Sequence, residues 1–287
     1  MYFSFQVPQP LGILERNLYK GNLLIEKSCA APGETEITRI RGMTMLGDGR
    51  LIIIDSKNKC IKIFKPDWYD FTSKKQLTDE PRGISFISQD EIVITFAEKK
   101  EVRIFKMDKV NNLWMQRSFG IKDKPYSISY SKKTFAIELG EGDDGIIAIT
   151  DFNGNITHLV RGQNTNFGQF TGNTIRLVHD NDKRVVFVVN VSDGYIHCVD
   201  YKGGIKWVIK INTPRGIALY ENMLFVASKI DRKVYQINPD NGKVCTLLSD
   251  KDKVGQPRCI AVHPLKEKLA LEVGSNVNMY TVTKPNK

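Results

Sequence analysis

Arg41-Gly42-Met43-Thr44-Met45-Leu46, a Gly47-Asp48-Gly49 turn, Leu51-Ile52-Ile53-Ile54-Asp55, a polar break over Ser56 to Lys59, and Ile61-Lys62-Ile63-Phe64 decide the fold of this chain. Three short runs rich in β-branched residues, separated by turn formers, read as an antiparallel meander. The same triplet then returns. Pro81-Arg82-Gly83-Ile84-Ser85-Phe86 leads to Glu91-Ile92-Val93-Ile94 and Val102-Arg103-Ile104-Phe105. A less regular copy starts at Pro125-Tyr126-Ser127-Ile128 and carries an insertion from Gly140 to Gly145. Further copies start at Asn173-Thr174-Ile175, Pro214-Arg215-Gly216-Ile217 and Pro257-Arg258-Cys259-Ile260.

Taking Met43, Ile84, Ile128, Ile175, Ile217 and Ile260 as anchors, the copies lie 41, 44, 47, 42 and 43 residues apart. A period in the low forties leaves room for about four strands per unit, the spacing of propeller blades. The expected architecture is all-β, a six-bladed β-propeller, with blades starting near 41, 82, 126, 173, 215 and 258. The last copy ends near Val282 with no sequence left for a fourth strand, whereas Ile13 to Lys27 is strand-like and has no sheet of its own. Pairing the two closes the ring and removes two open edges. No linker divides residues 1–287, so one domain is expected.

Composition bounds the chemistry. The chain of 287 residues has a net charge of +10 and a pI near 9.2, a balance that favours an acidic partner. No apolar run approaches the ~20 residues of a membrane span. Residues Met1 to Pro8 lack a basic and then apolar leader pattern. The cysteines (29, 60, 198, 245 and 259) are odd in number and widely spaced, which suits neither a disulfide framework nor a zinc site. A reducing, cytoplasmic setting, no membrane contact and a monomeric propeller are expected.

The Pro-Arg-Gly-Ile elements at Pro81 to Ile84 and Pro214 to Ile217, together with Asp48-Gly49-Arg50-Leu51 and the run Ile54 to Phe64, resemble NHL repeats. The first copy is similar to the C-terminal propeller of tripartite-motif ubiquitin ligases. Asp55 is matched by Phe96, Asn190 and Ser228 in later copies, so the pattern is degenerate. The resemblance implies a recognition module for protein or single-stranded RNA. It also implies that the chain, which has no zinc-binding clusters of the RING or B-box type, acts as the reading head of a longer ligase-like protein.

The repeat places one constellation together. Two residues before the anchors stand Arg41, Arg82, Tyr126, Asn173, Arg215 and Arg258, which equivalence around the axis puts at one channel mouth. The turns between second and third strands open on the same face and add Lys57, Lys59, Lys99, Lys100, Lys229 and Arg232. Arg50, Lys133 and Lys183 fall in hairpin turns on the opposite face. Converging guanidinium groups suit carboxylate or phosphate. An acidic protein or peptide is the expected partner, and single-stranded RNA is the alternative. RNA needs aromatic platforms beside the basic groove, and Tyr126 is the one aromatic placed there. Trp68 and Tyr69 fall in an outer connection, while Trp114 and Trp207 are expected in packing between blades. His158, His179, His197 and His263 occupy unrelated repeat positions, so no catalytic set, metal site or cofactor is expected.

Overall fold

The alternation within each apolar run settles the architecture. Successive residues of a strand point to opposite faces, so Leu51 and Ile53 point one way and Ile52 and Ile54 the other. All four are at most 1% exposed, so this strand is covered on both sides. Second strands in every copy are comparably buried, as blades flanked by two neighbours require.

The computed structural model describes residues 19–66, 71–140, 146–161 and 175–284. Six four-stranded antiparallel sheets form a ring of blades. Blade 1 is Ile40–Met45, Leu51–Asp55, Cys60–Phe64 and Phe71–Gln76, and blade 2 is Ile84–Phe86, Glu91–Phe96, Glu101–Met107 and Leu113–Gly120. Blade 3 is Pro125–Ser131, Thr134–Leu139, Ile146–Asp151 and Ile156–Arg161, and blade 4 is Ile175–Asp180, Val185–Asn190, Tyr195–Asp200 and Ile205–Lys210. Blade 5 is Pro214–Tyr220, Met223–Ser228, Lys233–Ile237 and Val244–Leu248. Blade 6 takes Pro257–Val262, Lys268–Val273 and Asn276–Thr283 from the end of the sequence and Lys20–Ser28 from its beginning.

Closure by an N-terminal strand is therefore observed. The strand is Lys20–Ser28, paired antiparallel from Lys20 opposite Thr283 to Ser28 opposite Asn276; residues 13–18 of the expected segment lie outside the described residues. Tyr19 anchors its start. Its backbone N–H donates to Gln236 Oε1 at 2.9 Å, and its ring meets Phe225 edge-on at 5.6 Å in blade 5.

The core consists of six clusters, one between each pair of neighbouring blades. Leu51 and Ile53 of blade 1 pack with Cys259, Ala261 and Ala270 of blade 6, while Ile52 and Ile54 pack with Ile92, Ile94 and Phe96 of blade 2. The period-2 pattern is thus what joins the ring.

Among the described residues, one His/Cys/Asp/Glu group could hold a metal ion: Glu34, Asp55 and Cys60. A side chain of the protein already fills that place. The fully buried Lys62 ammonium meets Glu34 Oε2 at 2.6 Å, Asp55 Oδ2 at 2.9 Å, Thr38 Oγ1 at 3.0 Å and the Cys29 carbonyl at 2.9 Å. The cage ties the closing strand's exit to blade 1, and Lys62, with Lys74 at 3.7 Å from Glu34 Oε1, balances the two carboxylates.

Two expectations about surface residues are corrected. Arg50 is 6% exposed and is held by Asp48, the Asp108 carbonyl and Asn111, riveting blade 1 to a turn of blade 2. Trp114 is 44% exposed, because Leu113 rather than its neighbour faces inward on that outermost strand. Trp207 packs as expected, against Phe187, with its indole N–H donating to the Pro239 carbonyl at 2.9 Å. Trp68, Tyr69 and most of the Gly140 to Gly145 insertion lie outside the described residues. All five cysteines are free thiols.

Candidate functional site: an arginine collar on the propeller axis

The inner strands line an axial cavity of about 290 Å³. They run in parallel around it. Ser127, Ser129 and Ser131 of blade 3 accept the backbone N–H groups of Leu177, His179 and Asn181 of blade 4 at 3.2–3.3 Å, a constant offset that only parallel strands give. These hydroxyls satisfy inner-edge donors that have no further strand to pair with. Missing Cβ atoms allow the close approach elsewhere. A Cβ on Gly83 would lie 2.3 Å from the Tyr126 carbonyl, and one on Gly216 would lie 3.0 Å from the Arg258 carbonyl. The glycine of Pro-Arg-Gly is thus a packing requirement, and the arginine beside it is carried to the mouth.

Five arginines reach the cavity: Arg41, Arg82, Arg176, Arg215 and Arg258. Four were anticipated. Arg176 was not, because in blade 4 Leu177 opposite Val188 corresponds to Met43 opposite Ile53. Four other blades bulge just before the anchor (between Ile40 and Gly42, for example), whereas blade 4 pairs regularly from Ile175. One residue fewer is needed there, so Leu177 is the anchor, and Asn173 lies outside the described residues. Aligning blade 4 on Asn190, the partner of Asp55 and Ser228, exposes this register.

Tyr126 is corrected as well. It is 5% exposed, counts among the core residues and does not line the cavity. An aromatic ring gains more from apolar cover than from the wet mouth. Aromatics do reach the cavity, but at its other end, where Phe86 and Tyr130 lie.

The collar is held against its own repulsion. Burial, then the charges of Arg39, Arg82 and Arg176, hold the Arg41 guanidinium below its ordinary pKa. Burial, then Arg176 and Arg258, does the same to Arg215. Arg82 has a carboxylate partner, Glu80 at 3.5 Å. The Nε atoms of Arg41 and Arg215 are buried without a hydrogen-bond partner. Like charges converging at the mouth favour an incoming anion.

The outer basic residues differ. Lys57, Lys59, Lys99, Lys100, Lys229 and Arg232 sit on the turns between second and third strands of blades 1, 2 and 5. Lys57 pairs with Glu36 at 3.5 Å, Lys99 with Asp79 at 3.6 Å and Arg232 with Asp250 at 3.0 Å. Lys59, Lys100 and Arg232 have φ of 45°, 52° and 51° and so hold the left-handed position of their turns, as Gly194 does in blade 4. Exposed pairs of this kind are worth about 0–1 kcal/mol each. Three of these six outer residues are thus paired with acids.

Beneath it lies Glu272, 2% exposed, with Oε2 buried and unpartnered. Burial pushes its carboxyl from 4.5 up to about 7, against the pull of Arg258, Arg176 and a hydrogen bond from Cys259. The folded state therefore binds this proton more tightly than the unfolded one. Stability falls as pH rises from about 4.5 to about 7 and is level above. Glu272→Gln is expected to stabilise the protein by about 3 kcal/mol at pH 8, with the gain vanishing near pH 4. Paired urea titrations of variant and parent measure the difference; one that does not change with pH contradicts this account.

Two of the histidines are buried and held neutral. Burial holds His179 down to about 3, and its ring bridges Ser129 and Thr134 at 3.0 Å each. His197 is likewise held down to about 4.

No protein-family profile matches the chain, and no curated protein sequence matches it. The fold, however, is shared with solved structures. Virginiamycin B lyase from Staphylococcus aureus is similar over 92% of this chain and 100% of that one, with 13% identity and a TM-score of 0.62. A chain of the nidogen/laminin complex covers 85% and 97%, with 15% identity and a TM-score of 0.61. The β-propeller domain of Myceliophteria thermophila Cps50 (Swd1) covers 90% and 100%, with 12% identity and a TM-score of 0.58. These likenesses show the fold: the protein is a six-bladed β-propeller, here with a ring of arginines at one axial mouth.

Proposed function

We propose that this chain is a non-catalytic recognition propeller that binds an acidic segment of a protein partner at the arginine collar. The carrying observation is the five-arginine ring itself, in which burial and neighbouring cations hold Arg41 and Arg215 below their ordinary pKa. An acidic side chain at the mouth relieves that mutual repulsion, which water does not. Lys57 and Arg232 on the surrounding turns exchange their exposed acids, Glu36 and Asp250, for those of the partner at little cost. The likeness to a chain of the nidogen/laminin complex supports a propeller used for protein contact. The likeness to the lyase does not carry its chemistry over, since the axis here presents arginines and its one lining histidine, His179, is buried against Ser129 and Thr134.

The NHL-like elements of the first, second and fifth copies support a finer reading, in which this propeller selects substrates for a ubiquitin-ligase-like parent. Single-stranded RNA is less favoured, because Tyr126 is removed from the basic mouth and Phe86 and Tyr130 lie at the opposite end of the cavity. Titration of the chain with a labelled Asp/Glu-rich peptide and with random single-stranded RNA, each at 50 and 200 mM salt, tests the proposal. Saturable peptide binding in the micromolar range, tighter than RNA binding at both salts, is expected. RNA binding that is tighter and falls steeply with salt overturns the protein reading through counterion release, and no binding of either at low salt overturns both.

A further inference from the structure

The cavity below the collar changes character along its length. All six inner strands start at the arginine end, so lining residues further along each strand lie deeper. One step past the anchors come Thr44, Ser85, Ser129, Ala218 and Ala261, all small, with Val178; a step beyond them Met45, Phe86, Leu219 and Val262 are apolar, with Tyr130 and His179 beside them. From Arg41 to Met45 is four residues, a depth of roughly 13 Å at the rise of a strand. A mouth built only for surface docking needs no such depth, and small side chains at the middle level are what keep the axis open.

We propose that this cavity is itself a ligand site for a small amphipathic anion. A carboxylate or phosphate head is held by Arg41, Arg176, Arg215 and Arg258, and a short apolar body lies down the axis between Ala218, Ala261, Phe86 and Val262. The proposal rests on the reading that the collar binds acidic groups and adds that the group arrives on an apolar stem. The two sources of such chemistry are a free small molecule and the carboxyl end of a partner chain. Either way the head meets the converging guanidinium groups of the cavity mouth, and each methylene taken from water strengthens binding severalfold.

Calorimetric titration of the whole chain with inorganic phosphate, hexyl phosphate and hexanol tests this. Hexyl phosphate is expected to bind at least tenfold more tightly than phosphate, and hexanol not measurably. Val262→Asp and, separately, Leu219→Asp place a charge at half-buried positions of the far end; each is expected to weaken hexyl phosphate at least tenfold while leaving phosphate within twofold. Two variants guard against one that fails to fold, which thermal melting detects. Equal affinity for phosphate and hexyl phosphate, or hexyl phosphate binding unmoved by both folded variants, overturns the inference. An acidic peptide that still binds in that case leaves the collar reading standing. The source is read from apolar pentapeptides with a free or amidated C-terminus. Binding that is lost on amidation assigns the end of a chain, and hexyl phosphate binding without peptide binding assigns a free molecule.

Discussion

Removing residues 1–28 is expected to lower the melting temperature by roughly 10–20 °C or to abolish the cooperative transition. The deletion takes the fourth strand from blade 6 and leaves Asn276–Thr283 as an open edge. It also removes Ile25 and Leu23 from the clusters on either side of that blade, and Tyr19 from its place against Phe225 and Gln236. Net backbone hydrogen bonding at about 0.5–1.5 kcal/mol per bond, plus burial of the apolar side chains at about 25 cal/mol per Å², gives a loss of at least about 5 kcal/mol. In a chain of this size each kcal/mol moves the midpoint by roughly 2–4 °C. The ring geometry adds to this, since opening one junction exposes Leu269, Leu271 and Tyr280, now fully buried, to water. Thermal melting by circular dichroism measures the effect. A truncated chain that melts within 2 °C of the parent shows that the strand is an accessory and that the ring is closed by other contacts.

The fold was legible because its signals are local and repeated. Continuous apolar runs such as Leu51 to Asp55 and Val185 to Asn190, set between turn formers at a steady spacing, permit few other arrangements. The absence of a last strand pointed to its supplier at the other end. The site was legible in part. Arg82 and Arg215 followed from the Pro-Arg-Gly element, whose glycine is needed for blade-to-blade approach. Arg176 was hidden, since counting two residues back from an anchor assumes the bulge of four other blades, and the strand Ile175–Asp180 pairs without one. Tyr126 was misplaced for a different reason: equivalence of backbone position does not fix whether a side chain turns to water or to the core. The serine ladder Ser127, Ser129 and Ser131 had a signal in its own alternation, but its partners are backbone groups of another blade, which no local pattern reveals. The Lys62 cage joins residues from Cys29 to Lys62 by contacts that depend on ring closure.

The collar is the centre of the account, and replacing Arg82, Arg215 and Arg258 together with glutamate tests it most directly. These side chains are half-buried or exposed at the mouth, so their loss costs the core little. Arg215 is held below its ordinary pKa by burial and by Arg176 and Arg258, which means that its charge is a burden on the folded state. The reversed collar is therefore expected to melt at the same temperature as the parent or slightly higher. Binding of the acidic peptide is expected to fall at least 100-fold, since converging charge contacts are together worth a few kcal/mol and each 1.4 kcal/mol is tenfold in affinity. The matching control reverses Lys109, Lys133 and Lys202, exposed residues on turns of the opposite face, and removes the same total charge. Peptide affinity measured side by side for the two folded triple variants decides the matter: loss in the collar variant with less than a threefold change in the control is the predicted result, and equal losses in both contradict a site at the collar.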